Sequence, residues 1–267
     1  MDESPVTQRT PERPLERLNA DHLQTDPQTS NLIAWATMAP LKLETRRLTR
    51  NRIVTAERAD PAYLAFDMMR TKVLRSAHDG KWNTLAITSP TRGCGKSTVA
   101  LNLAVSIARQ PDLRVLLIDL DLRRPRLAQM LGHNPEFTMQ QFLKGECRIE
   151  EFFVRIGDNL ALGAGASSVA YPAELLQDSR TAWSLKRLRQ LLRPDIVIYD
   201  LPPMLVSDDF VGFLPNVDLA MLVVAAEAST IAEIDVCERT LTEESKLLGV
   251  VLNKCRYKAE QYDNYQD

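Results

Sequence analysis

Ser89-Pro90-Thr91-Arg92-Gly93-Cys94-Gly95-Lys96-Ser97-Thr98 follows an apolar run, Leu85 to Thr88, and opens an apolar helical stretch. Gly93 and Gly95 let the backbone curl until successive N–H groups point inward at an anion. The helix that follows adds the partial positive charge of its N-terminus. In this strand-loop-helix setting the stretch reads as a P-loop: Lys96 reaches the β- and γ-phosphates of a nucleotide and the Ser97 hydroxyl ligates Mg²⁺. Arg92, Gly93, Cys94, Gly95, Lys96, Ser97 and Thr98 are thus the expected nucleotide-binding residues, with ATP and Mg²⁺ the expected ligands. One position departs from G-x-x-x-x-G-K-[ST], because Pro90 stands where the first glycine belongs. That residue leaves the strand and need not touch phosphate. A chance Gly-Lys-Ser turn is the bland alternative, and the flanking pattern argues against it.

Outward from this loop, strand-like and helix-like segments alternate. Apolar runs suited to buried strands are Leu85 to Thr88, Val115 to Leu120, Leu160 to Leu162, Ile196 to Tyr199, Ala220 to Ala225 and Leu248 to Leu252. Helical stretches lie between them at Lys96 to Arg109, Arg126 to Leu131, Ala173 to Leu192 and Thr230 to Lys246, with another at residues 61 to 77. Ile231, Ile234, Cys237 and Leu241 recur at helical spacing, which places Cys237 in the core. The alternation predicts an α/β fold, a mainly parallel sheet with helices on both faces. In such sheets ligands sit beyond the carboxyl ends of the strands.

Two further motifs fall at those ends. Asp119 and Asp121 flank Leu120 in Leu116-Leu117-Ile118-Asp119-Leu120-Asp121-Leu122-Arg123. Strand alternation would put both carboxylates on one face, where they could hold Mg²⁺ and accept a proton from an incoming hydroxyl. The alternative is that Asp121 starts a turn or pairs with Arg123 or Arg124. Asp200 ends the run Ile196-Val197-Ile198-Tyr199-Asp200-Leu201-Pro202-Pro203, the Walker B pattern of an apolar strand delivering one carboxylate toward Mg²⁺. Asp208 and Asp209 in the next loop would be supporting groups or a helix cap.

The bulk properties set outer limits. The 267 residues are 45% hydrophobic and 25% charged, ordinary for a soluble globular protein. A net charge of -2 gives no global pull toward nucleic acid or anionic lipid. No signal peptide is expected, and the longest apolar runs fall far short of the roughly 20 residues that cross a bilayer. These features predict a cytoplasmic protein with no transmembrane segment of its own. The first thirty residues are rich in Pro, Thr, Gln and charge and read as a disordered tail. Residues 1–55 as a whole are expected to be disordered or loosely structured. Lys42, Arg46, Arg47, Arg50 and Arg52 form a basic cluster there, read as a solvated face in preference to a docking patch.

With the three motifs placed, the chain resembles the bacterial tyrosine kinases of capsule and exopolysaccharide export, in their separate cytoplasmic subunit form. The resemblance covers roughly residues 60 to 267. It is carried by the P-loop, by Ile118-Asp119-Leu120-Asp121-Leu122-Arg123-Arg124-Pro125, Pro172-Ala173-Glu174-Leu175-Leu176 and Asp200-Leu201-Pro202-Pro203, and by Gly249-Val250-Val251-Leu252-Asn253-Lys254. It implies a P-loop ATP-binding kinase domain over residues 56–255 that uses ATP and Mg²⁺ to phosphorylate tyrosine. Lys96, Asp119 and Asp121 would be the catalytic groups, Ser97, Asp119 and Asp200 the metal ligands, and Asn253 would lie beside the adenine. Tyr257, Tyr262 and Tyr265, in a flexible tail over 256–267, would be the phosphoacceptors. The resemblance also implies a membrane polysaccharide co-polymerase as activator, recruitment to the inner face of the plasma membrane, and a possible homo-oligomer.

Two departures stand out. The family's ring-forming helix carries a Glu and two Arg at three-residue spacing, and the corresponding positions here are Leu64, Asp67 and Arg70. An ATP-binding regulator of the same machinery without kinase activity is therefore an alternative. A partition-type ATPase switch shares the fold but carries a lysine five positions before the P-loop lysine; here that position is Thr91.

Overall fold

The computed structural model describes residues 27–57, 60–244 and 246–255. Residues 1–26, with most of the expected disordered tail, and 256–267, with Tyr257, Tyr262 and Tyr265, lie outside them. In chain order the elements are α1 (Pro27–Thr37), β1 (Ala39–Pro40), α2 (Thr45–Arg50), α3 (Val54–Glu57), α4 (Tyr63–Gly80), β2 (Thr84–Thr88), α5 (Lys96–Ala108) and β3 (Val115–Asp119). Then come α6 (Leu127–Leu131), α7 (Met139–Leu143), α8 (Ile149–Phe152), β4 (Val154–Ile156), β5 (Leu160–Gly163), α9 (Pro172–Gln177) and α10 (Ser179–Leu192). The chain continues through β6 (Ile196–Asp200), α11 (Asp209–Phe213), β7 (Leu219–Ala225), α12 (Ile231–Glu243) and β8 (Leu247–Asn253).

The strands form one sheet in the order β1-β4-β5-β3-β6-β2-β7-β8. Every pairing is parallel except β4 with β5. β2, β3 and β6 are buried at every position, which is why they read as continuous apolar runs. Their side chains alternate between two cores. Leu116, Ile118, Val197 and Tyr199 face α9, α10 and α12 on one side. Leu85, Ile87, Val115, Leu117, Ile196 and Ile198 face α5 on the other. Cys237 is fully buried on α12, as its spacing implied.

The expectation of a loose segment up to residue 55 is corrected for residues 27–55. α1 packs along α10: the Trp35 indole donates to the Leu192 carbonyl at 2.9 Å, and Asn31 donates to the Leu191 carbonyl at 2.9 Å. Met38, Leu48 and Ile53 are core residues. Thr55 of α3 sits against α5, its amide and hydroxyl both meeting the side-chain oxygen of Asn102 at 3.1 Å. Each short piece contributes one or two anchors to a surface built by distant residues, so composition alone under-reads it. The helix expected over 173–192 is two helices. Asp178 adopts an extended backbone and its carboxylate caps α10 through the Arg180 amide at 2.8 Å.

Candidate functional site

The P-loop leaves β2 and turns into α5 at the carboxyl edge of the sheet. Gly93 and Gly95 both adopt positive φ, 82° and 93°, the left-handed region open to glycine without a side-chain clash. Pro90 faces elsewhere, its carbonyl accepting from the Leu205 amide at 3.1 Å while Ser89 accepts from Met204 at 2.9 Å. The loop after β6 is thereby stitched to the start of the P-loop. Arg92 is exposed at the tip, and the Cys94 side chain is buried, leaving its backbone to the loop. Asn253, at the end of β8, donates to the Cys94 carbonyl at 2.8 Å. A Cβ on Gly95 would collide with that amide, so the strand end predicted to flank the nucleotide packs directly on the loop.

Lys96 is almost fully buried. Its Nζ lies 2.7 Å from Asp121 Oδ2 and 3.3 Å from Asp200 Oδ1. Burial opposes the ammonium charge, but Asp200 and Asp121 outweigh it and hold the pKa above the usual lysine value. Asp119 and Asp200 are register partners on β3 and β6 and both are fully buried. Burial raises the pKa of each; for Asp119 it reaches about 7, with the Asp200 charge adding to the rise. The Ser97 hydroxyl favours the charged form of Asp200.

The two acids of β3 do different things. β3 ends at Asp119, so strand alternation does not extend to Asp121. Asp119 accepts the amides of Arg126 at 2.8 Å, Leu127 at 2.9 Å and Asp121 at 3.2 Å. It braces the loop that carries Asp121, while Asp121 reaches Lys96. Asp121 also accepts the Arg124 amide at 3.2 Å, so turn-former and Lys96 partner are one residue. Arg123 turns to Asp209 in a two-pronged pair, Nε to Oδ2 at 2.6 Å and Nη2 to Oδ1 at 3.0 Å. Asp209 is fully buried and also accepts the Ser207 hydroxyl at 2.9 Å. This tie between the β3 and β6 loops was not expected. The only signal for it in the chain is the acid pair Asp208-Asp209 following the Walker B strand.

Three buried or nearly buried carboxylates share one ammonium, and Asp200 Oδ2 is buried without a hydrogen-bond partner. Such an excess of negative charge with an orphaned oxygen fits a divalent cation. Among the described residues, no three His, Cys, Asp or Glu side chains form a metal cage by themselves.

Residues 85–267 match the CobQ/CobB/MinD/ParA nucleotide binding domain family. The tyrosine-protein kinase YwqD of Bacillus subtilis is 30% identical over 233 residues, covering 85% of this chain and 96% of YwqD. The chain belongs to the bacterial tyrosine kinase family. Within that family, the kinase domain of Escherichia coli tyrosine kinase ETK superposes with a TM-score of 0.69 at 27% identity, over 79% of this chain and 84% of that domain. EpsB of Ralstonia solanacearum is 32% identical over 216 residues, 79% of this chain. The chain spans only 28% of EpsB's length. The bacterial tyrosine kinase fold here is therefore a P-loop nucleotide-binding fold.

Proposed function

We propose that the protein is an ATP-dependent protein-tyrosine kinase that phosphorylates other copies of its own chain and thereby regulates exopolysaccharide or capsule polymerisation and export. The observation that carries this reading is Lys96, held between Asp121 and Asp200 at the foot of the P-loop, in a chain of the tyrosine kinase family. The amides from Arg92 to Thr98 cradle the nucleotide phosphates, and Lys96 leaves its carboxylates to pair with the β- and γ-phosphates. Ser97 and Asp200, with Asp119 behind them, hold Mg²⁺, which when bound supplies charge neutralisation at the transferring phosphoryl group. Asp121, released by Lys96, takes the proton of the attacking phenol. Asn253 lies beside the adenine. Tyr257, Tyr262 and Tyr265 are the acceptors.

A membrane-embedded polysaccharide co-polymerase serves as activator and brings the kinase to the inner face of the plasma membrane. Among the described residues no helix is long and apolar enough to cross a membrane. Mass spectrometry for phosphotyrosine after incubation with MgATP and membranes of the producing cell tests the reading. Modified tail tyrosines support it; bound ATP with all three tyrosines unmodified contradicts it.

One observation favours a second reading, an ATP-binding regulator without phosphotransfer. Asp67 and Arg70 pair with each other at 2.9 Å, and both bond Ser106 of α5. Two of the family's three ring-contact positions are thus engaged within the chain.

A further inference from the structure

Between Lys42 and Arg52 the chain carries five basic residues and a single acid, Glu44, although the whole protein has a net charge of -2. The positive charge is local, and the structure fixes it in place. Leu48 of α2 and Ile53 are buried in the core. Asn51 donates to the Met130 carbonyl at 2.8 Å, and the Arg52 carbonyl accepts from Asn102 of α5 at 2.9 Å. With its apolar side docked, the segment leaves Lys42, Arg46, Arg50 and Arg52 exposed. Arg46 and Arg50, one helical turn apart, share a face. Two acids border it. Glu44 is taken by Arg47 at 3.0 Å, and Glu57 accepts the Thr45 hydroxyl at 2.6 Å. Among the described residues Lys42, Arg46, Arg50 and Arg52 form no salt bridge. The outward charge here is predominantly positive, because Glu44 and Glu57 at its border are already engaged.

We propose that this face docks on an anionic lipid bilayer, its guanidinium and ammonium groups lying against headgroup phosphates. The guanidinium fork matches phosphate oxygens in pairs. A bilayer surface can meet all four cations whatever their spacing, whereas an acidic peptide would need carboxylates placed to match. The negative potential of an anionic surface attracts such clusters and decays within about 10 Å at ordinary salt. The segment is fixed to α6 through Asn51 and to α5 through Arg52, so docking would orient the whole sheet relative to the membrane. None of this depends on phosphotransfer.

The test is co-sedimentation of the full chain with vesicles of equal parts phosphatidylglycerol and phosphatidylcholine, and with phosphatidylcholine alone. Binding is expected only to the anionic vesicles, and it weakens as salt rises. The triple variant Lys42→Gln/Arg46→Gln/Arg50→Gln should bind about a hundredfold more weakly. A control of equal charge loss on α4 and its C-cap, Lys72→Gln/Arg75→Gln/Lys81→Gln, should bind like wild type. Matching thermal melts and nucleotide affinities establish that both variants are folded. The proposal is overturned if wild type ignores anionic vesicles, or if the two variants lose binding equally. It is equally overturned if duplex DNA binds more tightly than the vesicles through the same three residues, which would make this a nucleic-acid surface.

Discussion

Lys96 lies between Asp121 on one side and Asp200 on the other, so a nucleotide phosphate would compete with these carboxylates for its ammonium. Lys96→Ala removes a contact of the kind that contributes about 1.5–3 kcal/mol, and ATP affinity should fall roughly ten- to a hundredfold. Titration with a fluorescent ATP analogue reads this directly; equal affinities would take Lys96 out of the site. Asp119 offers a prediction with a definite sign. Its folded pKa of about 7 lies above the ordinary 3.8, so between those values the folded state keeps a proton that the unfolded chain has lost. Its contribution to stability is therefore present at acid pH and lost as pH rises toward 7. Asp119→Asn cannot titrate, so thermal melts of the ligand-free wild type should lose ground to the variant from about pH 4 to 7. Parallel curves would contradict the assignment. The P-loop residues and Asp200 were legible because backbone chemistry dictates residue type at each position. The division of labour between Asp119 and Asp121 was not, because it turns on where β3 ends, and no side-chain pattern marks that residue.

At the level of elements, the buried polar knot between α3 and α5 is the clearest place to test how the early part of the chain supports the site. Asn102 satisfies all its groups: its oxygen takes the Thr55 amide and hydroxyl, and its nitrogen donates to the Arg52 and Thr98 carbonyls. Asn102→Ala would strand these partners in the core and should lower stability by about 2–4 kcal/mol. Urea unfolding should show a lower midpoint with an unchanged slope; an unaltered midpoint would mean the knot is not needed. The central strands were readable because burial on both faces leaves one run of apolar residues. β1, β4 and the helices α1 to α3 were not, because all but α1 are too short to show a period. Their stability comes from contacts such as Trp35 with Leu192, 157 residues apart. The break at Asp178 was hidden because both halves share one helical pattern.

Leu64 is half exposed where the family's ring contact has a charge, and Asp67 and Arg70 are engaged within the chain. The protein alone should therefore be a monomer or small oligomer by light scattering with ATP and Mg²⁺; an octamer-sized ring would show that another surface drives assembly. The α/β layering was legible from Leu85 onward, from the alternation of strand and helix patterns. The meeting of the β3, β6 and β8 loops around Lys96 was legible only in outline, since topology says which strand ends converge but not which side chains bond. The central claim is that this site moves phosphate onto a neighbouring copy. It is tested most directly by mixing Lys96→Ala protein with a Tyr257→Phe/Tyr262→Phe/Tyr265→Phe variant, adding MgATP and membranes of the producing cell, and locating phosphate by mass spectrometry. The account predicts phosphotyrosine at Tyr257, Tyr262 or Tyr265 of the Lys96→Ala chains in the mixture, and none when those chains are incubated without the second variant. Unmodified tyrosines in the mixture, with ATP bound by the second variant, would contradict it.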